Sequence, residues 1–424
     1  MAELIITKVI GREIIDSRGF PTVEAEVHTT DGLFGPTIAS VPSGASTGKF
    51  EAHELRDGDD KRFMGKGVLK AVKNINDAIS NTLTGYNVYD QKKIDEKLIE
   101  LDGTDNKKHL GANAILAVSI AIAKYNHDNL DNHKLPVPLV NILNGGVHAD
   151  NGLNIQEFMI IPVNANSFKH AVQISVEIFH KLKSQLSDNS LSTNLGDEGG
   201  FAPQLQSHKK ALDYLMKSIE QAGYKPGSDV YIALDSAASE FYKNNNYELK
   251  GENKILNSDQ LINYYEELIS SYPIISIEDP MSEDDIEGWK NITKTLGNKI
   301  QLVGDDLFVT NVKKLEEGIN NKIANSILIK LNQIGTVTET KEAIDLAKKN
   351  NYSTIISHRS GETEDNFIAH LACQSNAGQI KTGSMARSER LSKYNQLIRN
   401  EEGIGKTGFA KTKYAGQDAF KFLK

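Results

Sequence analysis

Hydrophobic positions change rhythm part-way along this chain. Residues 4–40 alternate or run in short β-branched stretches (IITKVIGREIID, TVEAEVHT and, past a turn at Asp31 and Gly32, LFGPTIASV), and these predict strands. Stretches with helical spacing follow: VLKAVKNINDAI, DQKKIDEKLIEL and ANAILAVSIAIAKY. Strands gathered ahead of helices predict an α+β unit. The nearly apolar run at residues 112–123 is too short to cross a bilayer and predicts a buried helix. DNHKLPVP, residues 131–138, carries two prolines and marks a boundary, which gives an N-terminal α+β domain over 1–130 and a C-terminal domain over 139–424.

Beyond the boundary, PLVNILNGG and IQEFMIIPV read as strands, and SFKHAVQISVEIFHKLKSQL and HKKALDYLMKSIEQAG as helices. From residue 230 one pattern repeats: a short apolar run stops on a charged or hydrogen-bonding residue. YIALD ends at Asp235, IISIED carries Glu278, LVGDD Asp305, SILIK Lys330, STIISHRS His358 and Arg359, and QIKTGS Lys381. The steps from Asp235 onward are 43, 27, 25, 28 and 23 residues, about the length of a strand, a crossover helix and two loops. Charged residues at the carboxyl ends of parallel barrel strands converge on one face. The predicted fold is therefore α/β, a barrel that opens with two strands and two helices before regular βα units, and the separated strand ends build one site.

The residue types narrow its chemistry. Asp235, Glu278 and Asp305 end successive runs with no basic residue beside them. Converging carboxylates repel, and a hard cation such as Mg²⁺ relieves this, whereas zinc would call for His or Cys. Any one of them alone would read as a helix cap or loop acid. Lys330 closes a buried run, so it is either an ion-paired lysine or one with a lowered pKa that can act as a base. Lys381 faces the same choice, and a metal nearby favours binding of a substrate anion. SHRSGET offers a guanidinium fork at Arg359 and a hydroxyl at Ser360, suited to phosphate or carboxylate, and equally a capped turn. NLGDEGGF sets Glu198 among glycines, either in a cleft or as a turn acid. NGGVHADNGLNIQEF adds His148, Gln156 and Glu157, a proton-transfer set or, for the histidine, a structural one. PSGASTGKF is one residue short of the phosphate-binding P-loop spacing and has Phe50 where a hydroxyl belongs, which excludes a nucleotide loop. It reads as a surface loop or a lid that supplies Ser46 to a second metal.

Composition removes other classes. With 39% hydrophobic and 25% charged residues in 424, the chain has ample material for a core. A formal charge of -8 argues against a general nucleic-acid binder. The single cysteine, Cys373, lies in the helical pattern FIAHLACQS and predicts a buried thiol. MAELIITKVIGR lacks the apolar core of a secretory signal, so a cytoplasmic enzyme is expected.

Taken in order, DSRGFPTVE, PSGASTGKFEAHELRDGD, LNGGVHADNGLNIQEFMI, NLGDEGGFAP, LDSAASEFY, SIEDPMSEDD, LVGDDLFVTN, ILIKLNQIGTVTET, IISHRSGETED and IKTGSMARSERLSKYNQLIRNEE resemble the enolase family from residue 16 to 402. The resemblance implies a TIM-like β₂α₂(β/α)₆ barrel and the reversible dehydration of 2-phospho-D-glycerate to phosphoenolpyruvate. It implies Asp235, Glu278 and Asp305 on one Mg²⁺ and Ser46 on a second that arrives with substrate. Lys330 would take the C2 proton, and Glu198 would protonate the leaving hydroxyl with help from Glu157 and His148. Arg359 and Ser360 would hold the phosphate, Lys381 the carboxylate, with Gln156 and His358 lining the pocket. It further implies a homodimer, assembled into octamers in many bacteria, and a secondary cell-surface or secreted pool that binds plasminogen through C-terminal lysines, here Lys421 and Lys424. Phe20, His53 and the MARSER segment depart from the family pattern without removing a proposed catalytic group.

Overall fold

A computed structural model describes residues 3–30, 35–44, 48–126, 133–402 and 413–423. The expected turn at Asp31 and Gly32, Ser46 in the glycine- and serine-rich loop, and Lys424 lie outside the described residues. Strands β1 (Ile6–Ile15), β2 (Pro21–Thr29) and β3 (Thr37–Ser40) form an antiparallel meander. β3 starts later than LFGPTIASV suggests, immediately after Pro36, which has no N–H to give a ladder. Helix α1 spans residues 69–83 with a π-helical turn at Ile75–Ile79, and α2 (Gln91–Asp102) and α3 (Ala112–Ala123) follow. All residues of α3 are buried, as its all-round apolar sequence requires. One side of it covers β2 and β3, and the other meets helices of the barrel.

The barrel opens with β4 (Val137–Asn144), β5 (Glu157–Ile161), α4 (Phe168–Asp188) and α5 (His208–Gln221). Six βα units complete it: β6 (Tyr231–Asp235) with α6 (Ser258–Ser271), β7 (Ile274–Glu278) with α7 (Ile286–Leu296), and β8 (Gln301–Gly304) with α8 (Val312–Asn320). Next come β9 (Ser326–Ile329) with α9 (Val337–Lys349), β10 (Ser353–Ser357) with α10 (Phe367–Gln374), and β11 (Gly378–Lys381) with α11 (Ser388–Glu402). The strands close in the order β4 to β11, and β5 alone runs antiparallel to its neighbours. This is the β₂α₂(β/α)₆ order.

Val137, Leu139, Met159, Ile161, Ala233, Val303, Leu328 and Ile355 pack one apolar cluster within the barrel strands. Gln301 and Gln379 bond each other across it at 3.0 and 2.8 Å, so their buried amides are satisfied as a pair. Asp235, Glu278 and Lys381 end parallel strands, and Asp305 and Lys330 directly follow two others, so charged side chains gather at the carboxyl ends of the barrel. Cys373 is buried in α10, and burial pushes its thiol up to about 12, which leaves it inert.

Candidate active site at the barrel rim

Strand register brings the predicted residues together. Asp235 pairs with Glu157 on one side and Glu278 on the other, and Ser357 pairs with Lys381. Because β5 is antiparallel, its first residue, Glu157, reaches the rim that the other strands reach with their last. Asp305 and Lys330 follow β8 and β9 directly. A narrow cavity of about 30 Å³ is lined by His148, Gln156, Glu157, Glu198, Asp235, Asp305, Lys330, His358, Arg359, Ser360 and Lys381. Glu278 stands just behind it, bonded to Lys381. Of the predicted site residues only Ser46 falls outside the described residues.

Lys381 Nζ donates to both oxygens of Glu278 at 2.8 Å and to Asp235 Oδ2 at 3.0 Å, with Glu157 Oε1 3.2 Å away. Burial alone would lower its pKa; the carboxylates of Asp235, Glu157 and Glu278 outweigh that and raise it well above the usual lysine value. Lys330 Nζ donates to Asp305 Oδ2 at 2.5 Å. Burial disfavours its charge as well, and Asp305 more than offsets this, so of the two states open to Lys330 the structure displays the ion-paired ammonium. Burial, then the charge of Asp235, raises Glu278 well above the carboxylate range.

A second group faces these. His148 Nδ1 lies 3.8 Å from Glu198 Oε1 and 3.9 Å from Glu157 Oε1. Glu157 is raised well above its usual value, first by burial and then by the charge of Glu198. Burial pushes the same way on Glu198, but His358, His148 and Arg390 outweigh it and hold Glu198 well below its usual value. The two carboxyls are therefore pushed in opposite directions, Glu157 up and Glu198 down. His358, with Nε2 3.5 Å from Glu198 Oε2, is pushed down to about 4 by burial. Gln156 Nε2 donates to Asp235 Oδ2 at 3.3 Å.

Arg359 and Ser360 sit in a stitched loop. Arg359 presents its fork to Glu51, Nη1 to Oε2 at 3.0 Å and Nη2 to Oε1 at 3.2 Å, and Nη1 also reaches Asn332 Oδ1 at 3.1 Å. Gly361 exchanges backbone bonds with Ser43 at 2.8 and 2.9 Å, and a Cβ there would meet Arg18 Nε and Asp16 Oδ2 at 2.7 Å. A larger residue would have to displace these two side chains, so glycine suits the close approach of the loop to the turn between β1 and β2.

The acids at this rim suit a hard divalent cation, since carboxylate oxygens crowd together where no Cys occurs. Among the described residues two groups bring three ligand atoms within 4.8 Å of one another, Asp279, Asp305 and Asp306, and His148, Glu157 and Glu198, and neither is the predicted trio. Asp279 is already committed, however: its two oxygens accept the backbone N–H groups of Asp305 and Asp306, both at 2.9 Å. It braces the turn that aims Asp305. Asp235, Glu278 and Asp305 are instead balanced by lysine ammoniums, which a cation could replace.

Sequence reasoning missed Glu51, Asn141, Asp279, Asn332, Gln333 and Arg390. Arg390 is fully buried, and its Nη1 and Nη2 reach the carbonyls of Arg359 and Ser360 at 2.5 and 2.6 Å. Gln333 Nε2 donates to Asp305 Oδ1 at 2.8 Å. The signals were present in LNQIG, directly after Lys330, and in ARSER, but polar residues there look like ordinary caps.

Two family models match the chain: "Enolase, N-terminal domain" over residues 6–134 and "Enolase, C-terminal TIM barrel domain" over residues 132–423. A curated protein named "Enolase" from Natranaerobius thermophilus is 56% identical over 431 residues, covering 99% of each chain. The chain belongs to the enolase family. As an enolase it is a hydro-lyase, an enzyme of magnesium-dependent dehydration. Its departures from the usual enolase pattern fall outside the cavity: Phe20 lies under the Lys66 ammonium at 3.8 Å, and the side chain of His53 is exposed. Among the described residues, no helix is long and apolar enough to cross a membrane.

Proposed function

We propose that the rim cavity dehydrates 2-phospho-D-glycerate to phosphoenolpyruvate with Lys330 as base and Glu198 as acid. The observation that carries this is the separation of two chemistries in one cavity: Lys330 with the carboxylates of the parallel strands, and Glu198 with His148, His358 and Glu157. Lys330 follows β9, and Glu198 is bonded to Asn141 of β4, three strands away round one side of the barrel and five round the other. A substrate between them can lose a proton on one side and a hydroxyl on the other.

The C2 proton neighbours a carboxylate, so its removal adds charge to a group already anionic. Held by Asp235, Glu278 and Asp305, with a second ion at Ser46, Mg²⁺ would stabilise that charge as it develops. A lysine base beside one or two Mg²⁺ ions is a general feature of enolase-superfamily sites. Lys330 must be neutral to accept the proton, and its partner Asp305 is among the groups proposed for the metal, so metal loading and deprotonation of Lys330 are linked. Lys381, surrounded by the same acids, would turn to the substrate carboxylate. Arg359 exchanges the Glu51 carboxylate for phosphate, one bidentate partner for another, and Ser360 adds a hydroxyl. Glu198 gives its proton to the C3 oxygen as the C3–O bond breaks. Glu157 and His148 keep a proton in reach, and Gln156 and His358 wall the cavity.

A homodimer, alone or within an octamer, and a cytoplasmic location complete the proposal; sedimentation velocity decides the assembly. The enzymatic reading is tested by following phosphoenolpyruvate formation from 2-phosphoglycerate by ultraviolet absorbance with and without Mg²⁺. Turnover that depends on Mg²⁺ is expected. Turnover of a sugar acid with none of 2-phosphoglycerate would replace the assignment with an acid-sugar dehydratase.

A further inference from the structure

We propose that Asn141 is a positioning residue that occupies one oxygen of Glu198 and so leaves the other as the oxygen that carries the transferable proton. The inference rests on the reading of Glu198 as the acid and adds which of its atoms acts, and why.

Asn141 lies on β4 in the row that begins with Val137 and Leu139, both of which pack into the barrel interior. Strand alternation calls for another aliphatic side chain there. In its place stands an amide with no solvent exposure, whose Nδ2 donates to Glu198 Oε2 at 2.9 Å. Its Oδ1 has no hydrogen-bond partner among the described residues. A buried amide that leaves half of its capacity unused is costly, and what it gains is the bond to Glu198.

His358 reinforces the same oxygen. Its Nδ1 lies 2.6 Å from Arg390 Nη1, and a guanidinium can only donate. Nδ1 therefore accepts, the neutral ring carries its hydrogen on Nε2, and Nε2 is the atom 3.5 Å from Glu198 Oε2. Asn141 Nδ2 thus holds Oε2 by a hydrogen bond, and the N–H of His358 faces the same oxygen without making one. Among the described residues Oε1 meets no such donor: it faces His148 Nδ1 at 3.8 Å, in the cluster that includes Glu157. A proton on this carboxyl sits on Oε1, away from the donors.

The backbone around Glu198 is held independently of this bond. Ser384 N donates to Glu198 O at 2.9 Å, Phe201 N to Ile142 O at 3.0 Å, and Asn144 N to Phe201 O at 2.8 Å. Removing the Asn141 amide therefore releases the carboxyl without releasing its loop. In the dehydration step the C3–O bond breaks with its electron pair going to oxygen, Oε1 gives that oxygen its proton, and water leaves. The electron pair left at C2 becomes the double bond.

The experiment compares Asn141→Asp and Asn141→Ala with the parent enzyme in Mg²⁺. Dehydration kcat across pH, KM, and C2 hydrogen exchange in D₂O are measured on the same preparations. Dehydration should fall about tenfold or more while C2 exchange stays within about twofold, because only the acid step uses Glu198. In Asn141→Asp the alkaline limb of kcat should move to higher pH, since a second carboxyl in place of a donor disfavours ionised Glu198. A purely structural role would lower exchange and dehydration together and leave the limb in place, and that result overturns the proposal; Asn141→Ala decides the exchange-to-dehydration ratio should the aspartate variant not fold. Glu198→Gln is the reference. If it loses dehydration while both Asn141 variants behave as parent, the role of Asn141 alone falls; if it keeps dehydration, the underlying reading falls.

Discussion

At the scale of single residues, the proposed mechanism turns on partners that exchange. Arg359 holds Glu51 with the two-toothed geometry it would offer a phosphate, so Arg359→Lys, which keeps the charge and loses the fork, should raise KM about tenfold or more with little change in C2 exchange at saturation. Steady-state kinetics with the substrate and with a phosphate-free analogue check this. Gln333 aims Asp305 from behind, and Gln333→Leu should weaken Mg²⁺ binding about 10–100-fold by calorimetry, the usual cost of losing a bond to a metal ligand. The contrast between these residues explains what the sequence could disclose. Arg359, Lys330 and Asp305 are visible because each interrupts an apolar run at a point where a strand must end. Gln333, Glu51 and Asn141 are not, because their importance lies in which side chain they meet, and no local pattern encodes contacts between residues 28, 308 and 57 positions apart.

Among the elements, the parallel βα units were legible from period alone, and the opening pair of strands was legible only as an irregularity. Its consequence is structural: β5 runs backwards, so Glu157 enters the site from the start of a strand. The loop ahead of it is held by His208 at the start of α5. His208 Nε2 accepts the backbone N–H groups of Asn154 and Ile155 at 3.1 and 3.2 Å, and Nδ1 lies 2.8 Å from Tyr264 Oη. Burial pushes this histidine down to about 4. A lowered histidine binds fewer protons folded than unfolded, so its contribution is complete above about pH 6.5 and is lost as pH falls toward 4, about 3 kcal/mol in all. Thermal melts should show Tm falling through that window. His208→Gln should flatten the slope, leaving the share of His358, which is lowered in the same way; an unchanged slope would mean that His208 is protonated in the fold.

For the whole molecule, the proposed division into 1–130 and 139–424 does not make two independent bodies. Asp95 on α2 accepts Thr338 N at 3.0 Å and Thr338 Oγ1 at 2.6 Å, and Ser119 on α3 accepts Val337 N at 3.0 Å, so the N-terminal half caps the start of α9. Lys107 pairs with Glu339 at 3.0 Å, Lys124 with Asp365 at 2.6 Å, and Glu51 with Arg359 at 3.0 Å. One cooperative denaturant transition is expected, with Asp95→Ala lowering its midpoint without splitting it; two transitions would show that the halves unfold separately. The same docking sets Ser43, at the base of the loop that carries Ser46, against Gly361 in the loop after Arg359. The central claim is that one rim divides its labour between Lys330 and Glu198. Its most direct test is C2 hydrogen exchange of 2-phosphoglycerate in D₂O with Mg²⁺, read beside dehydration in Lys330→Ala and Glu198→Gln. The account predicts that Lys330→Ala loses exchange while still binding Mg²⁺, and that Glu198→Gln keeps exchange and loses dehydration; exchange surviving in Lys330→Ala, or both steps vanishing together in Glu198→Gln, would contradict it.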